Sequence, residues 1–291
     1  MKIAYLSSSS TLPDSRHRRD DAFEHDYQVA ELAPPLEKKK IGLVPIDWRL
    51  KTHVWTDYAA VVIGTTWDYC DHSAEFLQTL DDIEACRIPL FNSAAMVRWN
   101  SRKAYLQELA AKGVSTIPTL WLSSPTADEL ERAFDQLGSD TLVVKRQIGA
   151  GAVDQIRIKR GDDISDYPYD AMVQPFLSTI QTEGEYSFIM IDGEFSHALI
   201  KRAKSGDYRI QSLYGGQEEK VLPNESDVKT ACGILGHLPE MPLYARVDMV
   251  RGTDGALWLM ELELIEPYLY PVQADRLGEM FANALFRRLK L

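Results

Sequence analysis

Three carboxylates and one arginine are spaced for a shared site near the carboxyl end of the chain. Arg246 and Asp248 alternate with apolar residues, and Glu261 and Glu263 do the same in the next apolar run. Asp254-Gly255, a favoured hairpin dipeptide, separates the two runs. If these two residues form the turn, Asp248 faces Glu261 and Arg246 faces Glu263. The two-residue period of a strand then places all four side chains on one face of the sheet.

Acids that face each other in a strand ladder repel unless a cation lies between them, and hard oxygen ligands suit magnesium. The alternative is a solvated sheet face on which Arg246 is only a salt-bridge partner. We expect Leu257 and Leu259 on the carboxylate face, so that the acids have apolar neighbours. Acids in partly dry surroundings usually have a partner, which favours the metal site. The predicted metal ligands are Asp248, Glu261 and Glu263.

Two lysines end predicted strands beside loops of small residues. Lys145 precedes a loop with Gly149 and Gly151, whose exposed backbone N–H groups could cradle phosphate. Lys201 precedes a glycine-rich segment that contains Arg209, which suits a phosphate clamp. Each feature taken singly is better explained by a loop between strands or a solvated lysine. The sequence contains neither a P-loop nor a properly placed dinucleotide fingerprint.

Composition narrows the class of protein. The 291 residues carry a net charge of −11, which argues against nucleic acid as the main partner. The three cysteines are far apart and suggest neither a disulfide framework nor a zinc site. No signal peptide and no membrane span is predicted, so we expect a soluble, reduced, cytoplasmic protein.

The elements that would position these residues follow from periodicity and turn signals. The first ~95 residues alternate in the α/β manner. A capping box at Thr126 and Glu129 predicts a helix that Gly138 ends, and Asp192-Gly193 predicts a second hairpin. His197, in a strand of that hairpin, is expected to be a packed residue and not a ligand. We predict further helices over 73–86 and 101–112 and from Leu277 onward, and strands over 2–6, 59–63, 89–91, 141–145, 186–191 and 195–201.

The order of the motifs resembles the ATP-grasp ligases, and most closely the branch with prokaryotic glutathione synthetases and D-cycloserine ligases. The carrying segments are 98–103, 143–145, 174–176 with 184–187, 200–216, 246–248 and 261–267, and 66–69 also looks like this branch. The resemblance covers most of the chain. It implies an α/β protein, α+β in part, with a Rossmann-like N-terminal domain and two α+β subdomains that sandwich a nucleotide. The implied ranges are 1–97 for the N-terminal domain, 98–180 for the lid subdomain and 181–291 for the subdomain with the metal site.

The resemblance also implies roles for individual residues. Magnesium, or manganese, would be held by the three acids named above, and ATP would be the nucleotide. Lys201 and Arg209 would meet the β/γ-phosphates or an acyl-phosphate, with Arg246 beside them. The implied nucleotide-binding residues are Lys103, Lys145, Gly149, Gly151, Gln174, Pro175, Phe176 and Glu185, of which residues 174–176 would be an adenine hinge that acts through its backbone.

The chain departs from the family pattern at Lys145-Arg146, where relatives commonly have Lys-Pro, and at Glu263, where relatives usually have Asn. Either Glu263 adds a negative charge to the metal site, or Arg246 neutralises it and it does not ligate.

The resemblance implies an ATP- and magnesium-dependent ligase that joins a small carboxylate to an amine, acting as a dimer or tetramer. A small-molecule kinase and a nucleotide-binding regulator without turnover are the alternatives. Candidates for the acceptor pocket are Asp14, Asp20, Trp67, Tyr69, Tyr268 and Tyr270, although surface or packing roles stay open for each.

Overall fold

The structure, a computed structural model, describes residues 1–148, 154–202 and 216–290. Its N-terminal part is a four-stranded parallel sheet in the order β2-β1-β3-β4. The strands are β1 (Lys2–Ser7), β2 (Gly42–Asp47), β3 (Ala60–Thr65) and β4 (Leu90–Phe91), and the helices are α1 (Phe23–Lys38), α2 (Ser73–Ala85) and α3 (Ala94–Asn100). β3 is buried along its whole length, as its continuous apolar run indicates for a strand of a parallel sheet.

The second part is an antiparallel sheet in the order β5-β8-β6-β7. Its strands are β5 (Leu120–Leu122), β6 (Thr141–Arg146), β7 (Ile156–Lys159) and β8 (Ala171–Pro175), and its helices are α4 (Tyr105–Ala111) and α5 (Ala127–Leu137). The predicted capping box of α5 is present, and Gly138 ends the helix in the left-handed conformation.

The third part is a five-stranded antiparallel sheet in the order β11-β10-β9-β12-β13. Its strands are β9 (Glu185–Ile191), β10 (Glu194–Arg202), β11 (Gln217–Val221), β12 (Tyr244–Arg251) and β13 (Leu257–Glu263), and its helices are α6 (Thr179–Thr182), α7 (Glu225–Leu235) and α8 (Leu277–Arg288). The Asp192-Gly193 hairpin is confirmed, since both residues have positive φ. In the described residues, no helix is long and apolar enough to cross a membrane.

Several elements were not predicted from the sequence, among them α1, β2 and α7. Pro34 and Pro35 lie inside α1, and proline ordinarily argues against a helix interior. α1 is held by packing, because Leu32 and Leu36 share a buried cluster with Phe281 and Leu285 of α8. The helix predicted over 101–112 is also shorter, since it begins only at Tyr105 and a separate helix, α3, precedes it.

The hairpin of the predicted metal site has the predicted pairs but not the predicted turn. Asp248 faces Glu261 and Arg246 faces Glu263. The loop, however, spans residues 252–256, where the Gly252 N–H donates to Ala256 O at 2.8 Å. The predicted two-residue loop at Asp254-Gly255 is therefore wrong. A bulge after Asp248 shifts the register by one residue, so that the predicted pairs still form.

The same bulge corrects the prediction for Leu257 and Leu259. Both lie in the buried cluster that contains Val247, Met249 and Leu262, on the opposite side from the acids. The extra residue in β13 shifts the alternation by one, so that the leucines enter the core and the carboxylates stay on the other face.

Side chains from α3 and α4 complete the outer edge of β13. Asn100 donates to Leu262 O at 2.8 Å and accepts from Leu264 N at 3.0 Å. The Tyr105 hydroxyl accepts from Leu262 N at 2.9 Å. These bonds satisfy backbone groups that an edge strand would otherwise leave open, and they fix the segment that carries Glu261 and Glu263.

We predict that Asn100→Ala lowers the unfolding free energy by roughly 1–3 kcal/mol, because it leaves buried backbone groups of β13 unpaired. Urea unfolding followed by tryptophan fluorescence measures the change. The control is Gln107→Ala, an exposed position of α4, which should change the midpoint little. Equal midpoints for the two variants would contradict the role of Asn100.

Candidate active site

Acidic and basic side chains alternate on one face of the third sheet. Strand register places Lys201 beside Glu185, and Ser187 beside Asp248, which in turn faces Glu261. Arg246 and Glu263 form the next pair along the same hairpin. The opposite face packs in a buried apolar cluster that includes Phe188 and Val247. The sheet thus separates a charged site from a hydrophobic core.

Asp248 is deeply enclosed and, like Glu185, is only 2% exposed. It accepts from Arg246 Nε at 3.0 Å and from the Ser187 hydroxyl, and Lys201 Nζ lies 3.4 Å away. Burial by itself raises the pKa of Asp248, but Arg246, Lys201 and the Ser187 bond outweigh it and lower that pKa. Asp248 is therefore held as a carboxylate.

Lys201 forms a buried ion pair with Glu185 as well. Gly184 makes this contact possible: at its φ of +117°, a Cβ would lie 2.7 Å from Lys201 O. Burial, with the charge of Asp248 adding to it, raises the pKa of Glu185 to about 7 against the effect of Lys201. The Lys201 ammonium keeps a raised pKa because Asp248 and Glu185 together outweigh its desolvation.

Arg246 also binds Glu263. Burial raises the pKa of Glu263 to about 7, although Arg246 opposes the shift. The guanidinium of Arg246 thus joins two acids, and Glu263 has its partner within the protein. Of the two alternatives for Glu263, this ion pair matches the one in which Arg246 neutralises the carboxylate.

Lys103 forms an ion pair with Glu261, and both side chains stay partly exposed. Burial lowers the pKa of Lys103, but Glu261 outweighs burial and the net shift is upward. The Lys103 backbone N–H donates to Gln147 O at 2.9 Å, which ties this lysine to the end of β6. Lys103 therefore connects the second sheet to the acids of the third.

Lys145 and Gln174 come from neighbouring strands of the second sheet, β6 and β8. The Lys145 side chain makes no hydrogen bond or ion pair with any residue that the structure describes, and burial lowers its pKa. Gln174 donates from Nε2 to the Thr119 hydroxyl at 2.9 Å. The Phe176 N–H donates to Thr141 O at 2.8 Å, and Pro175 has no N–H. The N–H groups of these two residues therefore already have a partner or are absent, and the adenine hinge at residues 174–176 stays a prediction.

The donor set of the face fits a hard cation, because Asp248 and Glu261 present carboxylate oxygens from opposed positions of one hairpin. In the structure, each of the three acids contacts a lysine or arginine side chain, and the three carboxylates do not converge on one point. Within the described ranges, no group of three His, Cys, Asp or Glu side chains converges as a metal site would require. The assignment of Asp248, Glu261 and Glu263 as ligands stays a prediction.

Comparison with known proteins identifies the family. Residues 3–92 match the model of the N-terminal domain of D-cycloserine synthetase DcsG. The chain is 30% identical over 285 residues to the cycloserine biosynthesis protein DcsG of Streptomyces lavendulae, a match that covers 91% of this chain and 95% of that protein. The chain belongs to the DcsG family of ATP-grasp ligases. It is an enzyme, an ATP-dependent carboxylate–amine ligase that forms C–N bonds.

Solved structures agree with the DcsG family fold. The crystal structure of D-cycloserine synthetase DcsG superposes with a TM-score of 0.82 at 26% identity, over 99% of this chain and 100% of that one. D-alanine–D-alanine ligase from Bacillus anthracis has a TM-score of 0.70 at 19% identity, over 100% of this chain and 99% of that one. The predicted fold class, α/β with an ATP-grasp fold, is confirmed.

The structure brings together half of the site residues predicted for this DcsG family member. Lys103, Lys201 and Arg246 contact the acids, and Glu185 contacts Lys201. Gly149, Gly151 and Arg209 lie outside the described residues. The three sheets span residues 2–91, 120–175 and 185–263, while the domain limits at 97/98 and 180/181 stay predictions.

Ser187, whose hydroxyl fixes Asp248, was not among the predicted site residues. Its position two residues after Glu185, on the same strand face, was the available signal.

The sequence also left the role of Tyr270 open. Tyr270 is 6% exposed, and its ring centroid lies 5.6 Å from Arg246 Cζ and 5.9 Å from Lys201 Nζ. This ring covers the two cations of the site.

His197 is a packed histidine, as predicted, and it anchors the Tyr270 backbone. Its Nε2–H donates to Tyr270 O at 3.1 Å, and Ser196 Oγ lies 3.0 Å from Nδ1. Burial lowers the pKa of His197 from 6.5 to about 4, against the Tyr270 bond. The neutral ring therefore holds Tyr270, which has a φ of +49°.

We predict that the stability contributed by neutral His197 is complete above pH 6.5 and is lost as the pH falls towards 4, by roughly 3 kcal/mol in all. His197→Gln keeps a neutral donor, so its unfolding midpoint should fall less over this range. Urea midpoints at steps between pH 7 and 4 measure the difference. The control is His17→Gln at an exposed position, and a His197→Gln curve parallel to that of the unmodified protein would contradict the prediction.

Proposed function

We propose that the enzyme uses Mg-ATP to activate a small carboxylate as an acyl-phosphate and then joins it to an amine-type nucleophile. The observation that carries this proposal is the contact of Lys201 and Arg246 with the same buried carboxylate, Asp248. Two fixed cations beside ionised acids suit a reaction in which negative charge moves between oxygens.

The reaction needs no protein nucleophile. A substrate carboxylate oxygen attacks the γ-phosphorus of ATP, the bond to the β-phosphate oxygen breaks, and ADP leaves. The amine nitrogen then attacks the acyl carbon and loses a proton, and phosphate leaves with the electrons of the C–O bond. Lys201 and Arg246 offset the charge on the transferred phosphoryl group and on the acyl oxygen.

Bound magnesium would neutralise phosphate charge and orient the phosphates for in-line transfer. Asp248 and Glu261 would hold it, and Glu263 would stay with Arg246. Lys103 pairs with Glu261 at a partly exposed position, so it can exchange this partner for phosphate when Glu261 binds metal. Manganese, with the same preference for carboxylate oxygen, would be an alternative ion.

The remaining roles are proposals of the same kind. Lys145, with Gln174 on the neighbouring strand, would bind the nucleotide from the second sheet. Gly149 and Gly151 would cover the phosphates, and Arg209 would meet the γ-phosphate. Glu185 would position Lys201 through their ion pair.

The substrates are proposed to be small molecules. The similar protein from Streptomyces lavendulae is named for cycloserine, a small molecule. The implied dimer or tetramer and the cytoplasmic location stay predictions from the resemblance.

We predict that Asp248→Asn and Glu261→Gln each reduce ligase turnover at least about a hundredfold, since each removes a carboxylate that would hold magnesium at the phosphates. Phosphate release with saturating Mg-ATP measures turnover, and circular dichroism checks the fold. Asp254→Asn, in the exposed loop of the same hairpin, is the matched control. A folded Asp248→Asn variant with full turnover and unchanged magnesium dependence would refute the assignment.

Ligase and kinase activity differ in what sustains ADP release. A carboxylate panel is assayed with Mg-ATP, with and without hydroxylamine, a small nucleophile that traps acyl-phosphates as hydroxamates. A ligase forms hydroxamate and needs the nucleophile for sustained turnover. One ADP released for each molecule of a stable phosphorylated product, without hydroxamate, would instead establish a kinase.

A further inference from the structure

Tyr270 lies in the segment after β13, and its backbone is held by two other elements. His197 Nε2 of β10 donates to Tyr270 O at 3.1 Å. The neighbouring Leu269 N–H donates to the Gln28 side chain of α1 at 2.7 Å, and Gln28 donates in turn to the Tyr5 hydroxyl at 2.6 Å. These bonds fix Tyr270 between the third sheet and the N-terminal part of the molecule.

The Tyr270 ring lies against both cations of the charged face. Its centroid is 5.6 Å from Arg246 Cζ and 5.9 Å from Lys201 Nζ. The Tyr268 ring packs beside it, with 4.7 Å between centroids. Glu218 of β11 pairs with Lys201 of β10, and paired residues share one face of a sheet. The phenol therefore lies among the ionised groups of the site.

The Tyr270 hydroxyl makes no hydrogen bond with any residue that the structure describes, although the residue is only 6% exposed. Within those residues, the enclosed side-chain polar atoms without a partner are Thr66 Oγ1 and Gln273 Oε1. Tyr270 Oη is not one of these enclosed atoms, so it reaches accessible space. Because the ring lies against Arg246 and Lys201, that space is the cleft beside the two cations.

The surroundings of Tyr270 keep its phenol protonated. Burial raises the pKa of this phenol to about 12, against the effect of Lys201 and Arg246. The charge of Glu218 adds to the upward shift. Near neutral pH the hydroxyl is thus a hydrogen-bond donor, and an oxygen of a ligand that gains negative charge beside the two cations would be its natural acceptor.

We propose that Tyr270 is a catalytic residue whose hydroxyl donates a hydrogen bond to the acyl oxygen while the C–N bond forms. This inference rests on the proposed function. The amine nitrogen attacks the acyl carbon, and the electron pair of the C=O π bond moves onto the acyl oxygen. The pair then returns, the C–O bond to phosphate breaks, and phosphate leaves with the electrons of that bond and takes the proton that nitrogen loses. Tyr270 keeps its own proton throughout.

The two chemical steps make opposite demands on this hydrogen bond. When the substrate carboxylate attacks ATP, its oxygens lose negative charge, so a donor at the acyl oxygen does not favour that transition state. When the amine attacks, the same oxygen gains negative charge and the bond strengthens. Only interactions that are stronger in the transition state accelerate a step. Tyr270 should therefore accelerate the second step and not the first.

The test compares Tyr270→Phe with the unmodified full-length enzyme, because phenylalanine keeps the ring over the cations and removes only the hydroxyl. ADP formed in a single turnover with Mg-ATP and a carboxylate, without nucleophile, measures the first step. Hydroxylamine added to the loaded enzyme then gives the rate of hydroxamate formation. The carboxylate is the one among glycine and both enantiomers of alanine and serine that yields most hydroxamate with the unmodified enzyme.

We expect the rate of hydroxamate formation to fall roughly a hundredfold in Tyr270→Phe, as for the loss of one oxyanion donor, and the rate of ADP formation to stay within about twofold. The matched control is Tyr58→Phe, which removes a hydroxyl just before the amino end of β3 and should change neither rate. The urea midpoint of Tyr270→Phe should equal that of the unmodified enzyme, because the lost hydroxyl has no partner among the described residues.

Equal losses in both steps would overturn the inference, as would a clear fall in the urea midpoint, since either result assigns the hydroxyl a structural role. If Tyr270→Phe forms hydroxamate as fast as the unmodified enzyme, the inference about Tyr270 fails and the proposed ligase function stands. If the unmodified enzyme itself forms hydroxamate from no carboxylate, the proposed function fails and the inference fails with it.

Discussion

The buried carboxylate of Asp248, held between Arg246 and Lys201, is the interaction on which the rest of the site depends. A charge this far from water is stable only with partners, and the removal of one partner from a buried pair costs about 3–5 kcal/mol. Asp248 therefore requires Arg246 on its own strand and Lys201 across two strands of the sheet. Around it, the Gly184 turn and the bulge of β13 bring Glu185 and Glu261 onto the same face.

The ion pairs differ in how firmly they are held, and this difference suits a nucleotide site. The pairs of Lys201 and Arg246 with Asp248 are buried, whereas the pair of Lys103 with Glu261 is partly exposed. Exposed ion pairs contribute little and exchange partners easily. We infer that the buried pairs set the geometry, while Lys103 and Glu261 separate to bind phosphate and metal. Lys103 is also tied to β6 through Gln147, so this exchange would couple the second sheet to the third.

The sequence predicted the charged face well because strand period and opposite charges are local information. The pairing of Asp248 with Glu261 was predicted correctly from a two-residue loop that does not exist. The loop has five residues, and the bulge shifts the register back to the predicted pairs. The sequence did not predict the features that depend on tertiary packing. The two prolines inside α1 argued against a helix there, and the leucines before the bulge face the core instead of the acids.

The contributions of Asn100 and Tyr270 could not be predicted, because each depends on contacts between elements far apart in the chain or in the sheet. Asn100 reaches across more than 160 positions to the β13 backbone, and Tyr270 reaches two cations on different strands. Such contacts follow from the tertiary fold and not from any periodicity in the sequence. The family motif nevertheless contains Ser187, and a reading of strand alternation from Glu185 would place it beside Asp248.

The central proposal is that this charged face is the metal–nucleotide site of the enzyme. The most direct measurement is a crystal structure with Mn²⁺ and a non-hydrolysable ATP analogue, in which anomalous scattering locates the metal. We expect an anomalous peak within about 2.0–2.6 Å of oxygens of Asp248 and Glu261, the distance range of hard cations, with Lys103 moved from Glu261 to phosphate. A peak away from both acids, with the pair of Lys103 and Glu261 intact, would contradict it.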